Sequence, residues 1–202
     1  NELFTAKRDA REPRSLAELN LMIASAPPPF SGSPKAVFGE GPIKPQLCLV
    51  GEQPGDREDI EGRPFVGPSG RLLEERWKGG IDRETCYVTN AVKHFKFTGR
   101  GKKRLHQSPT AGEIKHYRWW LLKELELVSP RAVVALGSTA VHGLEGKVLT
   151  ISRHRGPHEL AGRKGLITVH PSFLLRLSDQ QERNRAYAEF VSDLRTARAL
   201  AA

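Results

Sequence analysis

The chain has 202 residues, enough for one domain with a sizeable core or two small ones. Apolar residues make up 38% and charged residues 27%, as in a globular protein, and no run approaches the ~20 apolar residues that cross a bilayer, so no membrane role is expected. Lysine and arginine total 32 against 23 acids, a formal balance of +9 that favours a polyanionic partner such as nucleic acid.

Residues 1–14 are charged and lack an apolar period, which predicts a frayed arm ahead of a single domain over 15–202. The first twenty residues carry no apolar leader core, so no secretion signal is expected. Ser15 opens a short helical pattern through Met22, with Ser15 as N-cap and Glu18 completing a capping box. Residues 24–36 read as a loop, since Pro27, Pro28 and Pro29 cannot propagate a helix. Four β-branched apolar runs follow at 46–50, 86–92, 132–136 and 166–169, without clean alternation, as in strands covered on both faces. Helical patterns lie between and after them at 69–78, 111–128, 138–144 and 179–199. The alternation predicts an α/β fold, a three-layer α/β/α sandwich around a mostly parallel four-stranded sheet. Cys48 and Cys86 each fall in an apolar run, so they read as buried free thiols, which suits a reducing cytoplasm.

Polar residues gather where each strand ends, at Gly51-Glu52-Gln53-Pro54-Gly55, Asn90, Gly137-Ser138 and His170-Pro171-Ser172. Open α/β sheets bind ligands in the crevice outside these ends. The first motif lacks the Gly-Lys-Ser/Thr ending of a phosphate loop, and alone it is equally an ordinary strand–helix turn. Phe65 lies between Pro64 and Val66-Gly67-Pro68, on a rigid loop that could present its ring to a base or anchor the core beneath it. A buried Asn90 needs partners for both ends of its amide, which a pyrimidine edge or a neighbouring loop can supply. His170 could meet developing charge or be a satisfied core histidine. From Thr85 to Gly112 there is no acid, while Lys93, Lys96, Arg100, Lys102, Lys103 and Arg104 lie inside that span. The run reads as a solvated loop or a phosphate grip, and it ends in His106, which could reach the sugar of a bound nucleotide.

Together these segments resemble the uracil-DNA glycosylase superfamily, and within it the X-type enzymes related to family 4. The resemblance is carried by Val37-Phe38-Gly39-Glu40-Gly41, Gly51-Glu52-Gln53-Pro54-Gly55, Gly62-Arg63-Pro64-Phe65-Val66-Gly67-Pro68, Val88-Thr89-Asn90-Ala91-Val92-Lys93-His94-Phe95-Lys96, Lys102-Lys103-Arg104-Leu105-His106 and His170-Pro171-Ser172. It implies an enzyme that flips uracil out of DNA. Phe65 would stack on the base, Asn90 would bond its polar edge, and Gln53 would contact the base or the turn around it. His170 would stabilise the departing uracil, and Glu52 would steady the sugar cation or polarise a nucleophile. The X-type likeness implies that His106 itself attacks C1′ and stays bonded to the abasic DNA. Lys102, Lys103, Arg104, Ser172 and Arg176 would contact DNA. The implied partners are uracil and uracil-containing, preferably single-stranded, DNA, bound by a monomer.

Relatives of this type hold an iron–sulfur cluster, which needs thiolate ligands. The matching positions here fall near Ala24 and Pro27 and at Tyr117, with His94 the remaining candidate, so no cluster and no other metal is expected. Packing around Pro27–Phe30, Tyr117 and Trp120 is expected in its place. Two other readings stay open: a conventional glycosylase that uses water and turns over, and a non-catalytic DNA-binding module on the same fold.

Overall fold

A computed structural model describes residues 12–76 and 82–202. Of the expected arm, residues 1–11 lie outside the described residues, while Glu12 pairs with Lys123 of a later helix. Helix α1 spans Leu16–Ser25. Ser15 caps it by accepting from the Glu18 backbone N–H. The capping box does not close as expected, because the Glu18 carboxylate accepts from the Arg14 N–H at 2.8 Å instead.

Strands β2 (Leu47–Gly51), β3 (Tyr87–Asn90), β6 (Ala132–Leu136) and β8 (Lys164–Thr168) are the four expected parallel strands. Their order is β3-β2-β6-β8, and the two-residue β7 (Gly156–Pro157) adds an antiparallel fifth strand at the edge. In β2 and β6 every residue is buried, and successive side chains go to opposite faces. Leu47, Leu49, Val134 and Leu136 pack with Leu73 of α3 (Pro68–Arg76) and with Tyr187, Phe190 and Leu194 of α8 (Gln180–Ala201). Cys48, Val50, Val133 and Ala135 pack with Leu121 and Leu125 of α4 (Ala111–Val128) and with Ala140 and Val141 of α5 (Ser138–Glu145). Helices thus cover both faces, and the three-layer sandwich follows from apolar runs too continuous to leave a wet side. Residues 77 and 78, the end of one expected helix, lie outside the described residues.

Two segments expected to be loops are strands. The basic stretch folds as a hairpin of β4 (His94–Arg100) and β5 (Lys103–His106), turning at Gly101 with φ +61°. Residues Gly32–Ala36 form β1, antiparallel to β4. The close approach is possible because position 32 is glycine: an added Cβ would lie 2.3 Å from the Phe95 carbonyl oxygen. The resulting three-stranded sheet stands apart from the main one and carries His106 at its end.

Candidate active site

The ends of the parallel strands open into a cleft of about 930 Å³. Glu52, Gln53, Phe65, Asn90, His106, His170, Ser172 and Arg176 all line it, so the expected catalytic and base-binding set converges on one place. The β2 and β3 ends are tied together there, since the Ala91 and Val92 N–H groups donate to the Gly51 and Glu52 carbonyls at 2.9 Å.

Glu52 Oε1 stands 2.8 Å from His106 Nε2, and Glu52 Oε2 accepts the Thr139 hydroxyl at 2.8 Å. Burial pushes the Glu52 carboxyl upward, but the bonds from His106 and Thr139 outweigh it and hold the group below the usual carboxylate range. An ionised carboxylate only accepts, so His106 Nε2 carries the proton in this pair. Thr139, at the start of α5, was not singled out from sequence. It follows Ser138 in a strand-end motif, which was the available signal.

His170 caps α7 (Pro171–Arg176), its Nδ1 accepting the Ser172 N–H at 3.1 Å with the Ser172 hydroxyl at 2.8 Å. The ring proton therefore belongs on Nε2. Burial lowers the His170 pKa to about 4, against a smaller upward pull from Glu52. The result is a neutral imidazole that can still donate one N–H. The Phe65 ring lies 6.5 Å from it at 27°.

Phe65 has φ +54°, an uncommon conformation for a bulky side chain. Two residues missed in the sequence hold it. Arg83 donates to the Pro64 and Phe65 carbonyls, both at 2.6 Å. The Glu58 carboxylate accepts from the N–H groups of Gly55, Val66 and Gly67, stapling the two glycine loops together. Glu58 is the third residue of α2 (Asp56–Glu61), a position from which a carboxylate regularly reaches back to free N–H groups. Position 51 must be small: an added Cβ would meet Asn90 Oδ1 and Phe65 Cζ at 2.6 Å. Asn90 is 4% exposed, its carbonyl accepts from Lys93, and its carboxamide has no protein partner among the described residues.

Gln53 holds the turn at the site, one of its two expected roles. Its Nε2 donates to the Gln107 carbonyl at 2.8 Å and its Oε1 accepts the Lys96 N–H at 3.0 Å, so the side chain clips the hairpin to the strand-end loop. The acid-free span is also not acid-free in space. Lys93 is buried against Glu124 at 2.5 Å, and Lys96 meets Glu113 at 2.6 Å. Arg104, expected on phosphate, instead bonds Asp56 at 2.7 Å and Asp59 at 2.6 Å, with its guanidinium 5.2 and 5.1 Å from the Phe95 and Phe97 rings. Arg100, Lys102 and Lys103 remain exposed at the hairpin tip, and Arg176 is exposed at the cleft.

At the positions where the resemblance implies a cluster, the donors among the described residues do not fit one. His94 is fully buried with Nδ1 2.6 Å from the Tyr117 hydroxyl, and burial lowers its pKa to about 4. Tyr117, Ile23 and Trp120 pack here with Ala26 and Phe30. Cys48 and Cys86 are buried in the main sheet's core, and no group of three metal-ligating side chains occurs among the described residues.

Residues 38–195 match the model of the Uracil DNA glycosylase superfamily. A type-4 uracil-DNA glycosylase of Thermotoga maritima is 41% identical over 144 residues, which are 69% of this chain and 71% of that protein. Those of Sulfurisphaera tokodaii and Archaeoglobus fulgidus are 38% and 35% identical over 104 and 125 residues, 50% and 59% of this chain. The chain spans 44% and 59% of those two proteins. No helix among the described residues is long and apolar enough to cross a membrane.

Proposed function

The chain belongs to the uracil-DNA glycosylase superfamily, and from that premise we propose that it excises uracil from DNA and captures the abasic product on His106. The observation that carries this is the 2.8 Å approach of Glu52 Oε1 to His106 Nε2 at the mouth of the cleft. A carboxylate at that distance orients the imidazole and neutralises the charge it gains on attack.

A flipped uracil would enter between Phe65 and the strand ends, and the unpartnered Asn90 carboxamide offers both a donor and an acceptor to its imide edge. The C1′–N1 bond breaks with its electron pair leaving on uracil, whose oxyanion the neutral His170 stabilises through Nε2–H. A ring nitrogen of His106 gives its lone pair to C1′, and Glu52 balances the resulting positive charge. All these residues come from one chain, so a monomer suffices. On this reading the exposed Lys102, Lys103 and Arg176 would hold phosphates of a single-stranded substrate. We read the donor-poor pocket around His94 and Tyr117 as a sign that none of this needs an iron–sulfur cluster.

The test is single-stranded uracil DNA mixed with the protein and run on a denaturing gel. A retarded band that is absent with His106→Ala supports capture. Free abasic DNA accumulating over many turnovers, with no retarded band, assigns the attack to water instead. Release of no uracil under any condition overturns the enzyme reading.

A further inference from the structure

A second groove lies on the outer side of the sandwich between α4 and α5, about 570 Å³ in volume. Its walls are two helical stripes. Gly112, Lys115 and Trp119 follow one another at three- and four-residue spacing along α4, with Arg118 beside them. His142 on α5 and Gly146, which caps that helix, are likewise four residues apart. Among the described residues no aspartate or glutamate lines the groove, and the nearest acids along the chain are engaged elsewhere: Glu113 with Lys96, and Glu145 with the Ala161 N–H. Arg118 Nη2 bonds the Leu144 carbonyl at 3.2 Å, while its Nε is buried without a hydrogen-bond partner among the described residues.

The groove comes within about one helical turn of the cleft along two elements. Thr139 lines the cleft and His142 the groove, one helical turn apart on α5. Ser108 lines the cleft and Ala111 the groove, on the chain that leads from His106 into α4. A strand leaving the cleft on this side would meet Lys115 and Arg118 beside the half-buried indole of Trp119. Cations beside an aromatic face make up the recurring surface for single-stranded nucleic acid, in which phosphates meet the charges and a base stacks on the ring.

We propose that this groove is a subsite for single-stranded DNA flanking the excised base, with Trp119 stacking one base and Lys115, Arg118 and His142 facing its phosphates. The proposal rests on the reading of the chain as a DNA enzyme. It can be tested without uracil, so the two fail separately.

Fluorescence anisotropy with uracil-free thymidine oligonucleotides of about four and about twelve nucleotides reads the subsite directly. The wild-type protein is expected to bind the longer strand about tenfold more tightly than the shorter. Trp119→Ala and the surface variant Lys115→Glu are expected to abolish that gain while binding the short strand as wild type does. Lys115→Glu guards against a folding defect from loss of the indole. Retention of the length gain by both variants, or its absence in the wild type, overturns the proposal. Failure to release uracil, with the length gain intact, would count against the enzymatic reading alone.

Discussion

Gln53 and Gln107 follow Glu52 and His106 directly in the chain, and they are joined by a 2.8 Å hydrogen bond from the Gln53 amide to the Gln107 carbonyl. The carboxylate and the imidazole are thus held together from behind. Gln53→Ala removes this bond and the one from the Lys96 N–H. We expect capture on His106 to slow about tenfold, the equivalent of 1.4 kcal/mol of misplacement, with uracil release less affected. Single-turnover kinetics of both products check this. An equal loss in both would assign Gln53 to base binding.

Arg104→Ala should act on the same geometry and also on stability. Asp59 is 7% exposed, and Arg104 is its charged partner. Its loss should cost about 3 kcal/mol, the low end for breaking a buried pair. Urea denaturation measures the loss, and an unchanged midpoint would mean that Asp59 is rehydrated once Arg104 is gone.

On the proposed mechanism, His106→Gly would vacate the space in front of C1′ and leave Glu52 free to orient water. We expect the retarded band to vanish and turnover to appear. Loss of all uracil release in this variant would contradict the trapping role.

Gly51→Ala should close the base pocket, since the new methyl meets Asn90 and the Phe65 ring. We expect uracil release to fall at least a hundredfold while affinity for uracil-free DNA stays near wild type. Retained release would show that Phe65 yields at little cost.

Acid should act mainly through two imidazoles. His170 and His94 titrate near 4, below the 6.5 of a free imidazole, because burial disfavours their charged forms. Between about 6.5 and 4 the unfolded chain therefore binds more protons than the folded one. Stability falls as pH drops through that window and is restored above it. A Tm flat from pH 7 to 4 would contradict this. Uracil release measured well below Tm should persist toward pH 4, where His170 begins to charge.

Without a cluster, the purified protein should be colourless, and a strong chelator should leave its Tm unchanged. A brown preparation with stoichiometric iron and sulfide would refute the reading of the His94 pocket.

The layers were legible because continuous apolar runs can be buried only between two helical faces. The site was legible as far as it follows strand ends, at Glu52, Asn90 and His170. The hairpin was not, because Lys96, Lys103 and Arg104 look like loop charges until Glu113, Asp56 and Asp59 arrive from other elements to neutralise two of the three. Strand β1 was hidden by Pro34 and by brevity. Glu58 and Arg83 were missed because their work is to satisfy backbone groups of a loop distant in sequence, a demand that exists only once Phe65 has taken its positive φ.

The β4–β5 hairpin is anchored at its base, while the space beside Gly99 and Gly101 at its tip is open among the described residues. A Cβ added at Gly99 or at Gly101 has no neighbour within 4 Å, and Gly99 does not need a positive φ. Both native thiols are buried and shifted upward in pKa by that burial. A cysteine placed at 99 would be far more reactive than either, so a dye could be attached there selectively. It would ride opposite Arg104, next to the Arg100–Lys103 pair, and on the proposed function would signal the arrival of a strand before any bond is broken.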